Sequence, residues 1–273
     1  MKILLTNNHM ANFGGSEIVT LELAEFLTSK GHDVLIYSPE IKPPLKISHI
    51  DHTSKKPDST KFDLLWIHHN LLIHDLGFKK TDNQRMIFNH MSSYVGLEAP
   101  NNKLLEESLA DIIFCNSKET KQAIGIESAK LFQNPAPPSF DVKHTGKTRK
   151  PLYISNHRPN GLPPDADCIG INDEYRRVEP EDFIDRPYVV CNGKSVQYAL
   201  RAGVPVFLYD HFGGPGWLRD SKTFWRAEDF NFSGRGFYPI DVLEEIRTTP
   251  PKAPPCAERF KLEHYYNLIC DLK

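Results

Sequence analysis

The chain has 273 residues, enough for one or two domains with a sizeable core. Its 33 lysines and arginines balance 35 aspartates and glutamates, a formal net charge of -2, which argues against a nucleic-acid surface and against an acidic solvating tail. The five cysteines are scattered without a CxxC pair, no apolar run approaches the roughly 18 residues of a membrane span, and the opening run is too short for a signal peptide, so a soluble protein of a reducing compartment without structural zinc is expected. The first predicted element is a strand at Ile3–Leu5. A polar loop follows and ends in Gly14-Gly15-Ser16-Glu17. Ile18, Leu21, Leu23, Ala24 and Leu27 then recur at helical spacing, and Gly31 stands where a helix C′ residue belongs. Val34–Tyr37 reads as the next strand. Strand, glycine turn, helix and strand form one βαβ unit. The turn matters because a helix N-terminus has free N–H groups and partial positive charge, and glycines let an anionic group approach it. Glu17 favours the helix dipole and also places a carboxylate beside that gap.

From Pro39 to Thr60 the chain is polar, with one short strand predicted at Lys46–Ile50. Asp63–His68, Arg85–Asn89 and Asp111–Cys115 are apolar throughout, as strands buried on both faces of a parallel sheet must be. The first two run into His69 and His90. Leu104–Leu109 is predicted helical, as is Lys118–Ala123 with Ser117 as its N-cap. Prolines, polar residues and four lysines or arginines then gather without periodicity, giving a linker at 136–150. The alternation restarts with strands at Leu152–Ser155 and Asp167–Ile171, a short helix at Pro180–Ile184, a strand at Tyr188–Cys191, a helix at Ser195–Ala202 capped by Ser195, and a strand at Val204–Tyr209. Leu262, Tyr265, Tyr266, Ile269 and Leu272 make the apolar stripe of a final helix.

The opening Gly-Gly-Ser-Glu, its amphipathic helix and Gly31-His32-Asp33-Val34 resemble the N-terminal domain of GT-B glycosyltransferases, especially those that build bacterial polysaccharides. The segment Ala199-Leu200-Arg201-Ala202-Gly203-Val204-Pro205-Val206 is similar to their donor-binding segment. Two glutamates usually flank that helix; here Gln197 and Tyr198 stand nearby, which points to an outlying member similar to capsule or O-antigen transferases. The resemblance implies two Rossmann-like, doubly wound parallel-sheet domains facing a cleft: an acceptor-side domain at 1–135, a small nucleotide-sugar domain at 151–259, and a last helix at 260–273 packing back on the first domain.

The candidate site follows from the ends of strands, where open α/β sheets bind ligands. Asp210-His211-Phe212-Gly213-Gly214 follows a predicted strand, with Trp217 beyond it as an aromatic able to stack on a base or sugar. His211, Asp210, His90 and Glu17 are the catalytic candidates. Gly14, Gly15, Arg158, Lys194, Ser195, Gly213 and Gly214 are candidates for holding the donor and its phosphates, Arg158 and Lys194 as cations. His69, Asn156 and Asn192 complete the set. Asp165-Ala166-Asp167 spells the DxD of metal-dependent transferases but precedes a strand, and His68, His69 and His74 lack zinc spacing. Neither metal nor cofactor is expected. The implied reaction moves a sugar from a nucleotide-activated donor to a saccharide or lipid-linked acceptor, in the cytoplasm or at the inner face of the membrane with peripheral contact. Retention and inversion both stay open. Two other readings stand beside it: a degenerate module that binds a sugar nucleotide or a partner chain, and a UDP-sugar epimerase of the same fold.

Overall fold

The computed structural model describes residues 1–69, 80–146, 149–155, 164–170, 173–237, 243–252 and 257–271. The chain divides into two compact units, Met1–Gln133 with Glu263–Lys273, and Asn134–Leu262. No helix among the described residues is long and apolar enough to cross a membrane.

The first unit is built on a seven-stranded parallel sheet in the order β5-β3-β1-β6-β7-β8-β9. Its strands are β1 (Lys2–Thr6), β3 (Asp33–Tyr37), β5 (His52–Thr53), β6 (Leu64–Ile67), β7 (Arg85–His90), β8 (Ile112–Cys115) and β9 (Lys130–Leu131). A separate two-residue pairing joins β2 (His9–Met10) to β4 (Glu40–Ile41). The apolar runs legible in the sequence are the central strands, and Leu4, Leu65, Ile67, Phe88 and Cys115 form the core between sheet and helices. Helix α1 (Gly15–Ser29) runs almost entirely buried, and Gly31 takes φ +82° just past its end. Ser117 caps the Lys118–Ile124 helix by accepting from the Thr120 N–H. The predicted strand at Lys46–Ile50 is a turn; β5, two residues further on, is the strand that extends the sheet beside β3.

The chain leaves β1 toward β3 and β5 on one side, then returns to the other side of β1 through β6 to β9. The reversal falls between β1 and β6, and ligands bind outside the carboxyl ends of strands at such a switch point.

The second unit holds a five-stranded sheet in the order β11-β10-β12-β13-β14. Its strands are β10 (Leu152–Ile154), β11 (Asp167–Ile169), β12 (Val189–Cys191), β13 (Val206–Asp210) and β14 (Gly213–Trp217), the last antiparallel to β13. Here the reversal falls between β10 and β12. The segment read as a linker belongs to this unit: Asp141 accepts two hydrogen bonds from Arg201, and Thr145 and Gly146 donate to Asp185. The short helix predicted at Pro180–Ile184 is a 3-10 turn at Pro180–Asp182.

Candidate functional site

In the first unit, the switch point between β1 and β6 gathers side chains from three loops. Asn7 follows β1, His68 and His69 follow β6, and α1 begins at Gly15. Asn7 Nδ2 donates to Thr20 Oγ1 at 3.0 Å, while the Thr20 hydroxyl donates to the Ser16 carbonyl at 2.8 Å. His68 Nδ1 lies 2.5 Å from the same hydroxyl. Because Thr20 has one proton and has given it to Ser16, His68 Nδ1 carries the hydrogen and donates. Burial, with a smaller push from His69, holds the His68 pKa down at about 3, which keeps the ring neutral.

This has a stability consequence. Below an unfolded-state pKa near 6.5, the unfolded chain takes up a proton at His68 that the native chain refuses, so the contribution is fully present above pH 6.5 and lost as pH falls toward 3. The unfolding free energy from urea titrations between pH 7 and 5 should drop with a slope approaching ~1.4 kcal/mol per pH unit from this one group. His68→Asn, which keeps a donor for Thr20, should show a shallower drop; equal slopes would overturn the assignment.

His69 is 1% exposed and accepts the Asn8 N–H on Nδ1 at 3.1 Å, which leaves the proton on Nε2, 3.6 Å from Glu98 Oε1. His90 is 2% exposed, with Nε2 3.0 Å from Glu106 Oε2. Both histidines sit at strand ends as read from the sequence. They are buried, each against a carboxylate, rather than open at a rim.

Glu17 is also buried. Its Oε1 lies 3.1 Å from His9 Nε2, and its Oε2 accepts the Ser16 hydroxyl at 3.0 Å. The His9 ring in turn lies 5.4 Å from that of His69. Gly14 serves this arrangement: a Cβ there would overlap Glu17 Oε2. The space attributed to a ligand at Gly14 is filled by the chain's own carboxylate. Gly15 differs, since a Cβ there meets no heavy atom within 4 Å. His9, Glu98, Glu106 and Thr20 were not singled out in the sequence. The available signal was that His9 and Glu17 flank one glycine loop after the first strand.

In the second unit, Asn192, Asp210 and the turn at Ser233–Gly234 converge at the carboxyl ends of β12 and β13. Asp210 is 2% exposed. Its Oδ2 accepts from Gly234 N at 2.9 Å, Ser233 Oγ at 3.1 Å and Asn192 Nδ2 at 3.2 Å, and its Oδ1 from Phe212 N at 2.8 Å. Three donors crowd Oδ2 and one meets Oδ1, which suits a buried carboxylate that positions loops. His211 is exposed in the two-residue turn between β13 and β14, its ring 3.9 Å from that of Phe212.

Several sequence expectations are corrected here. The stretch Gly213–Trp217 is a strand rather than a free loop. Gly213 takes φ +93° at the turn, and a Cβ at Gly214 would overlap the Leu208 carbonyl oxygen, so both glycines serve the hairpin. Trp217 is buried at 2% exposure, packs edge-on to Phe207 at 5.0 Å, and donates its indole N–H to the Glu245 carbonyl and Thr248 hydroxyl, which removes it as a stacking surface. The Lys194–Arg201 helix is capped by Gly193 at φ +54°, and Ser195 lies in its first turn. Lys194 is engaged within the fold: its ammonium donates to the Pro135 carbonyl at 2.5 Å and sits 4.8 Å over the Tyr198 ring. A buried ammonium must find such partners. Arg158 and Asn156 lie outside the described residues, as do His74, Cys256 and Leu272. Of the DxD pair, Asp165 is bonded to Lys150 and Asp167 to Arg186. Among the described residues no group of three or more His, Cys, Asp or Glu side chains is placed to hold a metal ion.

The sequence matches no protein-family model and no curated protein. Solved structures do match. HepE of Anabaena, crystallised with UDP, aligns over 100% of this chain and 99% of its own at 13% identity and a TM-score of 0.56. A glycosyltransferase of Rickettsia africae aligns over 99% of this chain and 97% of its own at 10% identity and a TM-score of 0.55. The fold is GT-B. Sucrose-phosphate synthase of Thermosynechococcus elongatus aligns over the whole of both chains at 11% identity and a TM-score of 0.50. At these identities the likeness is one of fold, and the GT-B frame is common to all three partners. Within that frame a glycine turn precedes α1 of this chain, and Glu17 fills the space beside Gly14.

Proposed function

We propose that this chain transfers a sugar from a nucleotide-activated donor to a saccharide or lipid-linked acceptor, as in the assembly of a bacterial surface polysaccharide, without a metal ion. The observation that carries the reading is the full-length likeness to HepE, a GT-B structure solved with UDP. The first unit supports it with a switch point that holds polar, titratable side chains next to the open backbone at Gly15. The second unit supports it with the first-turn N–H groups of the Lys194–Arg201 helix, which suit a diphosphate. With Lys194 engaged internally, cationic help for the leaving group falls to Arg158 or to the backbone alone.

The test is incubation with a panel of UDP-, GDP- and dTDP-sugars, following binding and release of the nucleoside diphosphate. Binding with slow release is expected, since transferases leak donor to water. Gly15→Val should lower that release while leaving the melting temperature nearly unchanged, because its side chain enters open space. The internal engagement of Lys194 and Asp210 favours a second reading, a sugar-nucleotide-binding module without turnover. Binding without release supports that reading, and no binding across the panel overturns both.

A further inference from the structure

Four histidines gather at the carboxyl edge of the first sheet, and one of them differs from the rest. His68, His69 and His90 are 1–2% exposed and enclosed by the fold. The side chain of His9 keeps 29% of its surface, whereas its partner Glu17 keeps 4%. One ring nitrogen of His9, Nε2, is held 3.1 Å from the buried carboxylate. Among the described residues nothing bonds the other nitrogen, Nδ1.

The carboxylate is itself fixed. Ser16 donates to it, and Gly14 supplies the room it occupies. Among the described residues, the charged and titratable groups near the His9 ring are Glu17, His69 and Glu40, the last an exposed carboxylate already paired with Lys42. His69 and His90 also face carboxylates but are enclosed, whereas His9 combines a buried carboxylate behind the ring with a side chain that keeps surface. A proton acceptor needs both: the carboxylate fixes the tautomer with hydrogen on Nε2, and it stabilises the imidazolium once Nδ1 is protonated.

We propose that His9 is the catalytic base of this transferase, with Glu17 as its positioning residue, and that the sugar is therefore transferred with inversion. The inference rests on the nucleotide-sugar reading above. In the step, the acceptor O–H bond breaks and its proton passes to His9 Nδ1. The freed oxygen pair forms the new bond to the anomeric carbon on the face opposite the leaving group. The bond from that carbon to the phosphate oxygen breaks, and the nucleoside diphosphate departs with the electron pair. A retaining transfer in the family's usual scheme would have no use for such a base.

The experiment uses the full chain with the same panel of UDP-, GDP- and dTDP-sugars, reading nucleoside diphosphate release and the anomeric configuration of the released or transferred sugar by proton NMR. His9→Ala should lower turnover at least ~100-fold while nucleoside diphosphate affinity stays within ~3-fold of wild type, and added imidazole should restore part of the rate. Glu17→Gln should lower kcat with the donor KM unchanged. Gly14→Ala, which pushes on the Glu17 carboxylate without straining the backbone, should do the same in a folded protein. The product should have the inverted configuration. Wild-type turnover in His9→Ala, or a product of retained configuration, overturns the pair alone. Absence of nucleoside diphosphate binding in the wild type overturns the nucleotide-sugar reading, and the pair's role with it.

Discussion

Replacing Asp210 with alanine is expected to cost the second unit on the order of 3–5 kcal/mol of stability. Four donors converge on this carboxylate from three segments: Asn192 after β12, Phe212 in the hairpin turn, and Ser233 with Gly234 beyond it. Removing it leaves buried N–H and O–H groups without an acceptor, and an unmade buried hydrogen bond costs more than a made one contributes. Gly234 makes the site intolerant of repair, since a Cβ there would overlap the Gly213 carbonyl and Asp210 itself. Asp210→Asn should fall between wild type and alanine, because its amide NH2 faces donors at one of the two positions. Chemical denaturation followed by intrinsic fluorescence checks this, with Trp217 reporting on the same unit. A loss below ~1 kcal/mol in Asp210→Ala would return Asp210 to the candidates for substrate contact.

The sequence suggested that Asp210 touches the donor, and the contrast shows what a pattern of residue types leaves out. A strand ending in Asp-His-Phe-Gly-Gly is legible as a place where ligands bind. The turn at Ser233–Gly234 that fills the Asp210 carboxylate lies more than twenty residues downstream, and no local pattern announces the pairing. Trp217 follows the same logic. Glycine and proline at 213–216 read as a loop, yet an edge strand pairs on one side only, so it accommodates Pro215 outside the paired positions. Once that strand forms, Trp217 turns into the core opposite Phe207.

Other features were legible because their causes are local. The central strands are apolar runs buried on both faces. Gly31 ends α1 in the left-handed region, and Ser117 caps its helix through Thr120, as short-range rules require. Ser195 failed the same rule because Gly193, at φ +54°, already begins the helix two residues earlier. In the candidate site, His69, His90 and Glu17 were readable from strand ends and a helix start. Their enclosure was not, because each is closed over by a partner from elsewhere: Glu98, Glu106 and His9. The Gly14-Gly15 pair illustrates the limit within two residues. Both read as access for an anion, and the fold gives one to Glu17 and leaves the other open.

Tyr265→Ala is expected to destabilise the first unit by ~3–5 kcal/mol, the range for removing a large aromatic side chain from a core. The Glu263–Asp271 helix belongs with that unit although the chain reaches it only after completing the second. Tyr265 is 1% exposed and packs on Trp66 at 5.2 Å and Phe114 at 6.2 Å, both edge-on, on the face of β6 and β8. Tyr266 meets Phe26 of α1 at 6.1 Å and His32 at 5.7 Å. The helix therefore covers apolar sheet surface that α1 leaves open. Burial pushes the Tyr265 hydroxyl pKa upward, with Asn89 beside it as a partner that opposes the rise. Tyr265→Phe should cost far less than alanine because the ring stays. The helix spans 9 residues, too few to be stable apart from the surface it covers. Loss of its main anchor should then free the whole segment and expose Trp66 and Phe114. The measurement is urea denaturation of wild type, Tyr265→Phe and Tyr265→Ala, with proteolysis at 263–271 as the local readout. A Tyr265→Ala protein as stable and as protease-resistant as wild type would mean that the sheet face is closed without this helix.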